Sequence, residues 1–251
     1  MHYMNICLFS RDEINKPLSI TDERGRHIIK ILHKKEGDSF SAGIINGRAG
    51  IATIKNISDG QIHFSFAETS EGKSLYPLKM IIGFPRPIQL KRLLRDMAAL
   101  GVCEVHLTAT ELGEKSYLDS SLATSDSGNQ MLLDGTIQAA STHVPELFIH
   151  KSLKETIDAI KTTESKNFFA LDNIEPQGSL SQHLEKFSTE GMTFDCAVAA
   201  IGSERGWTDN ERQLLKDEGF ILLGMGPRVM RTETAATVAA SLILGSMGKL
   251  N

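Results

Sequence analysis

The chain has 251 residues, with 27 Lys and Arg against 31 Asp and Glu, for a net charge of -4. That length suits one large α/β domain or a small domain followed by a medium one, and the ordinary apolar and charged fractions exclude a disordered chain or a disulfide miniprotein. The charge balance does not advertise nucleic-acid binding, so any such contact has to come from a local basic patch.

Residues 1–72 read as a small β-rich domain. Short apolar runs are split by turn signals, and Asn46-Gly47 and Asp59-Gly60 sit between alternating segments as type I′ hairpin signals do. In IATIKNI and QIHFSFA, Ile and Phe alternate with polar residues, the pattern of half-buried strands. One helix interrupts them, with Ile28, Ile31 and Leu32 on one face and Gly37 ending the segment. The expected result is a small β-barrel carrying one helix. TSEGKSLYP at 69–77, polar and closed by proline, reads as the linker.

Residues 73–251 alternate strand and helix. Strand LKMIIGF is followed by a helix placing Leu90, Leu93, Leu94, Met97 and Ala98 on one face, with Gly101 as its stop. Strand VCEVHLTAT, a helix around 129–141, strand NFFALD and a short helix near 179–187 come next. The final run is strand DCAVAAIG, a helix from Thr208, strand FILLG and a helix across 232–247. This alternation means a largely parallel sheet flanked by helices, whose ligands bind outside the carboxyl ends of the strands. The loops after 172, 202 and 224 are therefore the expected seat of chemistry. No apolar run approaches the ~20 residues of a membrane span, and the N-terminus lacks a signal-peptide apolar region. Cys7, Cys103 and Cys196 are odd in number and scattered, which fits buried thiols in a reducing cytoplasm. The eight histidines show no metal-ligand spacing, and no metal is expected.

Two runs carry the functional signal. In AIGSERGWTDNE, a buried strand runs into Gly202-Ser203-Glu204-Arg205-Gly206, and Thr208 with Glu211 has the spacing of a capping box. The glycines either tighten a plain strand–helix turn or let backbone amides approach a ligand. In LLGMGPRVMRTETAATVAAS, Arg228 and Arg231 lie in a glycine-containing loop just before a helix opened by Thr232 and Glu233. A helix dipole favours negative charge at that end, so capping accounts for Thr and Glu and not for the arginines. The alanines of this helix allow close packing, within the domain or between two copies. Arg24, Arg26, Lys30, Lys34 and Lys35 form one basic run, and Arg86, Lys91, Arg92 and Arg95 a second. Each is either a solvated face or a grip on RNA phosphates.

GSERG followed by MGPRVMRTETA resembles the strand–GPEGG–helix and LGxRILRxETA runs of the 16S ribosomal RNA uridine-N3 methyltransferase family, within the SPOUT superfamily. HIIKILHKKEGDSF with NGRAG resembles the same family's PUA-like N-terminal barrel, and IQLKRLLRDMAALGVCEVHLTATE its first helix and second strand. The resemblance implies a PUA-like β-barrel over 1–72 and a knotted α/β methyltransferase domain over 73–251, with a trefoil knot in the last third. It implies S-adenosylmethionine held by three loops: Leu171; Ile201, Gly202, Glu204 and Gly206; and Gly224, Met225, Gly226, Val229, Met230, Thr232 and Ala235. It further implies ribosomal RNA or the small ribosomal subunit as partner, a homodimer, and a cytoplasmic location. Arg24, Arg26, Lys30, Lys34, Arg86 and Arg92 are the expected RNA contacts. Arg231, then Arg228, would stabilise the uracil anion formed when N3 loses its proton, with Glu204 orienting an arginine or accepting that proton. Ser203 and Arg205 depart from the family loop, Asn46 replaces a hairpin Asp, and IQAASTHVPEL lacks the family's Glu-Gln and Gly-Arg. The chain thus reads as a divergent member, and these departures leave a second reading open, a non-catalytic or retargeted RNA-binding protein.

Overall fold

A computed structural model describes residues 5–117, 125–161, 167–189 and 195–250. The chain divides into two compact units, Met1–Ser74 with Leu133–Val144, and Leu75–Leu132 with Pro145–Asn251.

The first unit is built on a five-stranded sheet. β1 (Cys7–Phe9) pairs parallel with β3 (Ser39–Ile44), and β4 (Ala49–Ser58), β5 (Gln61–Ser70) and β2 (Leu18–Ser19) continue it antiparallel. The order β1-β3-β4-β5-β2 leaves β1 and β2 at opposite edges, so the sheet curls over its core as a half-barrel and does not close. Phe9, Phe40, Ile54 and Ile62 fill that core, with Phe64 edge-on to Phe40. Asp59 and Gly60 both have positive φ, as their turn signal requires. At Asn46-Gly47 only Asn46 does, and that turn is held from elsewhere in the chain. Asn46 N–H donates to the Thr142 carbonyl, and Val144 N–H donates to Asn46 Oδ1.

The expected amphipathic helix takes another form. Asp22 caps a single turn, α1 (Glu23–Arg26), which passes into a π-helical turn at His27–Ile31 closed by Leu32 N–H to the His27 carbonyl. The wider i→i+5 turn rotates the predicted face. Ile28 is buried, whereas Leu32 is exposed. Gly25 permits the close approach of α1 to β2, because a Cβ there would press into the Ser19 carbonyl.

The second unit is a six-stranded, wholly parallel sheet in the order β11-β9-β10-β6-β7-β8. Its strands are β6 (Tyr76–Gly83), β7 (Val102–Thr108), β8 (Glu146–His150), β9 (Phe168–Leu171), β10 (Ala197–Ile201) and β11 (Ile221–Leu223). Helices α2 (Pro87–Leu100), α3 (Ser125–Gln138, of which the residues from Leu133 on belong to the first unit), α4 (Leu153–Ile160), α5 (Leu180–Thr189), α6 (Asp209–Asp217) and α7 (Thr232–Ser246) follow in chain order among them. α2, α5 and α7 pack together, with α7 against β6 and β10, while α4 lies on β7 and β8 and α6 on β11. β10 reads AVAAI and is buried throughout, as a central parallel strand covered on both faces must be. Gly101 ends α2 in the left-handed conformation at φ 78°, and the capping box of Thr208 and Glu211 opens α6. The alanine stripe of α7 is spent inside the unit, with Ala235, Ala236, Ala239 and Ala240 all buried.

Strand β8 and helix α4 carry no counterpart in the sequence reading. ELFIH is short and lies at the sheet edge, and Ser152 caps α4 by accepting from Glu155 N–H.

Candidate active site

β9, β10 and β11 end side by side, and the loops leaving them enclose a cleft of about 210 Å³. Leu171, Ile201 and Leu223 form its apolar floor at the strand ends. From the second loop, Gly202, Glu204 and Gly206 line it, joined by Ser203 and Arg205. From the third, Met225, Gly226, Arg228, Val229 and Met230 line it, with Thr232 and Ala235 from the first turn of α7. The cleft also takes in Asp172, Asn173 and Ile174, which follow β9.

Two expected residues stand apart. Gly224 lies behind the wall, its N–H donating to the Gly178 carbonyl, and Leu223 takes the lining place. Arg231 is the N-cap residue of α7, is exposed, and makes no side-chain capping bond. Arg228 is exposed on the cleft margin.

Glycine sets the shape of the second loop. A Cβ on Gly202 would stand 2.9–3.1 Å from the backbone of Gly206, across the Ser203–Gly206 bridge. A Cβ on Gly83, at the end of β6, would press into the backbone of Ser203. Gly206 and Gly226 have positive φ of 75° and 96° and open space where a Cβ would stand, so both lower the cleft wall without straining it.

The loops are pinned from below. Asp172 and Arg212 form a buried pair: Arg212 Nε donates to Asp172 Oδ2 at 2.9 Å, and Nη2 donates to Oδ1 at 3.3 Å. Asp172 Oδ2 also accepts from Glu175 N–H, while Arg212 Nη1 reaches Asp209. Asp172 therefore holds the arginine above its ordinary pKa range. Trp207 is buried and its indole N–H donates to the Leu171 carbonyl at 3.1 Å. Neither tie was readable in the sequence, because each joins residues more than thirty positions apart.

Glu204 is ion-paired with Arg86, whose Nε lies 3.2 Å from Oε1. Arg86 is the N-cap residue of α2, and Glu204 and Tyr117 together hold its pKa up. Arg24 is likewise engaged, with Asp22, Glu13 and the Leu8 carbonyl, and its guanidinium lies 4.9 Å from the Phe9 ring centroid. Side-chain hydrogen bonding to Arg24 pulls Glu13 down to about 2. Arg26 and Lys30 are exposed, Lys34 is half-buried, and Arg92 is exposed with Asp96 one helical turn on at 3.7 Å. Burial pushes the thiols of Cys7 and Cys103 up to about 12, which makes both poor nucleophiles. Among the described residues no group of His, Cys, Asp and Glu forms a metal-binding cluster. No helix among them is long and apolar enough to cross a membrane.

An RNA methyltransferase domain family matches residues 72–244, and an RNA methyltransferase PUA domain family matches residues 20–67. The chain is 38% identical over 250 residues to the ribosomal RNA small subunit methyltransferase E of Treponema pallidum, covering 97% of this chain and 91% of that one. It is 32% identical over 244 residues to ribosomal RNA small subunit methyltransferase E 1 of Borreliella burgdorferi, covering 97% and 98%. A small subunit methyltransferase E from Neisseria gonorrhoeae, solved bound to S-adenosyl methionine, shares the fold at a TM-score of 0.75 and 16% identity, over 97% of this chain and 98% of that one. The chain belongs to the RNA methyltransferase family and, within it, to the ribosomal RNA small subunit methyltransferase E group.

Proposed function

We propose that the chain methylates N3 of a uridine in 16S ribosomal RNA, taking the methyl group from S-adenosylmethionine bound in the cleft at the ends of β9, β10 and β11. The observation that carries this reading is the coincidence of three loops on one cleft, with apolar strand ends below and glycines where a ligand must approach backbone. Those residues suit the donor: Leu171, Ile201 and Leu223 offer apolar surface to an adenine ring, and the glycine-flanked loops offer backbone edges to its polar atoms. Leu171, Ile201, Gly202, Glu204, Gly206, Met225, Gly226, Val229, Met230, Thr232 and Ala235 are the residues that would hold it. Gly224 supports them from behind. Arg205, the side chain that most distinguishes this loop, is exposed and lines the cleft margin.

When bound, the donor supplies an activated methyl group. Uracil N3 is protonated and paired at neutral pH, so the base must leave its stack before it can react. As the proton departs to solvent water, negative charge spreads over N3 and the two carbonyl oxygens. The donor, held by the loop residues named above, would supply its methyl carbon to N3 and leave as a neutral thioether. Arg231, exposed at the N-terminus of α7 outside the cleft lining, is the donor we assign to that charge, with Arg228 on the cleft margin as the second. Glu204, paired with Arg86, serves to fix the second loop and is not assigned the proton. RNA outside the reacting base is gripped by Arg26, Lys30 and Lys34 in the first unit and by Arg92 in the second.

The active form is proposed to be a homodimer working in the cytoplasm, with the chain of the second unit knotted around the cleft. Ile174 and Val229, which both line the cleft, are 63% and 78% exposed in a single copy, which supports a partner over the cleft margin. Methyl transfer from labelled S-adenosylmethionine to small ribosomal subunits, followed by mapping of the modified nucleotide, tests the reaction. Absence of label, or label on a base other than uracil, overturns it. Light scattering at micromolar concentration tests the dimer.

A further inference from the structure

The sheet of the second unit ends in two clefts. Every strand in it runs parallel, so the carboxyl ends of β6, β7 and β8 open on the same edge as those of β9, β10 and β11. The loops leaving β6, β7 and β8 enclose a second cleft of about 480 Å³. It shares no lining residue with the first. The two are nonetheless neighbours along the chain. Phe84 lines the second cleft, and Arg86, two residues on, pairs with Glu204 in the first. The capping box that opens α6 directly after the first cleft's loop supplies Glu211 to the second.

The floor of the second cleft is apolar: Phe84 and Leu153 are each 3% exposed, and Leu214 is half-buried beside them. The Thr110 hydroxyl at this floor is buried and has no hydrogen-bond partner among the described residues. A buried hydroxyl without a partner is costly, and a ligand whose polar edge met it as Thr110 turned into the cleft would recover that cost. On the rim, the charges separate into engaged and available groups. Glu211 accepts from the backbone of Glu111 and Thr208, Glu111 accepts from the Thr208 hydroxyl, and Lys154 is paired with Asp158 and Glu218. Glu114 is exposed. Lys115 and Lys151 have no ion pair among the described residues.

The geometry points to a binding site for one nucleotide of the RNA strand next to the target, its base on Phe84, Leu153 and Leu214, its polar edge on Thr110, and its phosphate between Lys115 and Lys151. An apolar floor, one unsatisfied hydroxyl and two available ammonium groups match a nucleotide's face, edge and charge in that order. The target base itself is excluded, because it has to touch the methyl donor in the first cleft. The inference rests on the RNA-methylating reading above.

The test measures binding of deproteinised small-subunit ribosomal RNA as a function of salt, together with the KM for that RNA and calorimetric affinity for S-adenosylmethionine. Replacing Lys115 and Lys151 together by Ala is expected to weaken RNA binding about tenfold at moderate salt and to flatten the log–log salt slope by about one to two. Thr110→Val is expected to raise the KM for RNA several-fold, and Thr110→Ser to restore it. Donor affinity stays unchanged in all three. RNA affinity and salt slope equal to the unaltered chain in the lysine variant overturn the subsite and leave the methyltransferase reading intact. An unaltered chain that binds donor and transfers nothing to RNA overturns that reading and the subsite with it. Should Thr110→Val fail to fold, the lysine variant alone decides.

Discussion

Asp172→Asn is the sharpest probe of how the fold holds its first cleft open. The Asp172 carboxylate is 1% exposed and the Arg212 guanidinium 3%, and together they join the loop after β9 to helix α6. The carboxylate accepts three bonds, two from Arg212 and one from Glu175 N–H. Removing its charge leaves a buried guanidinium facing a neutral amide, and breaking a buried pair in this way costs about 3–5 kcal/mol. For a chain of this length each kcal/mol moves the melting temperature by roughly 2–4 °C, so the expected loss is roughly 6–20 °C. Replacing both partners, as Asp172→Leu with Arg212→Met, removes the stranded charge as well and is expected to recover much of that loss.

The same substitution has a functional arm. Asp172 lines the cleft, and Glu175 N–H anchors its loop to that carboxylate. S-adenosylmethionine affinity is therefore expected to fall in Asp172→Asn, and at least as far in the double variant, whose leucine offers Glu175 N–H no acceptor, at matched fractional folding. Thermal melts and calorimetry on the unaltered chain and the two variants provide the assay. A single variant that melts within 2–3 °C of the unaltered chain would refute the reasoning, since it would mean that water already reaches the pair and screens it.

Three further outcomes follow from the geometry. His106 lies in a chain from Lys79 through Glu104 to His150 and Glu155, and burial pushes its imidazole down to about 4, partly offset by Glu104. The unfolded chain takes up that proton near pH 6.5 and the folded chain only near 4, so this contribution to stability is complete above about 6.5 and is lost as pH falls to about 4. His106→Gln should flatten the melting-temperature profile in that window, and an unchanged slope there counts against a neutral buried imidazole. Arg231→Ala should lower single-turnover methyl transfer by ~10²–10³ while leaving the melting temperature in place, since the side chain is exposed and caps nothing. Arg231→Lys should restore little, because one ammonium cannot reproduce a planar fork; near-normal transfer in the Ala variant removes the assignment. Replacing Arg26, Lys30 and Lys34 by Ala should weaken RNA binding and lower its salt slope by about one per lost phosphate contact, leaving donor affinity alone; equal RNA affinity at low salt returns these residues to a solvated face.

What could be read in the sequence was local. The cap at Thr208 and Glu211, the stop at Gly101 and the uniformly apolar β10 each depend on neighbours within one element, and each stands where its residues pointed. The π-helical turn after Arg26 escaped because a 3.6-residue period and a wider turn share their first few positions, and only burial separates Ile28 from Leu32. The joining of Leu133–Val144 to the first unit escaped for another reason. It depends on Thr142 and Val144 meeting Asn46, and no pattern in either stretch announces the other. Arg24 shows how composition misleads. It sits in a basic run, yet its guanidinium is committed to two carboxylates and a carbonyl within its own unit.

The departures of GSERG from the family's GPEGG become intelligible at this level. Backbone shape in that loop depends on Gly202, whose missing Cβ lets the chain fold back on Gly206, and on Gly206 itself at positive φ. Both glycines are present. Ser203, at the family's proline position, is buried and keeps the loop's bridge to Gly206. Arg205, at the position of a family glycine, is exposed and lines the cleft. Glu204 keeps its carboxylate and gains a fixed place from Arg86. A ligand recognised through backbone edges and apolar strand ends depends on the strand ends and the loop backbone more than on one exposed side chain of the rim. Divergence at Arg205 therefore changes the rim that the donor, RNA or a second copy meets, and leaves in place the two glycines that frame the cleft.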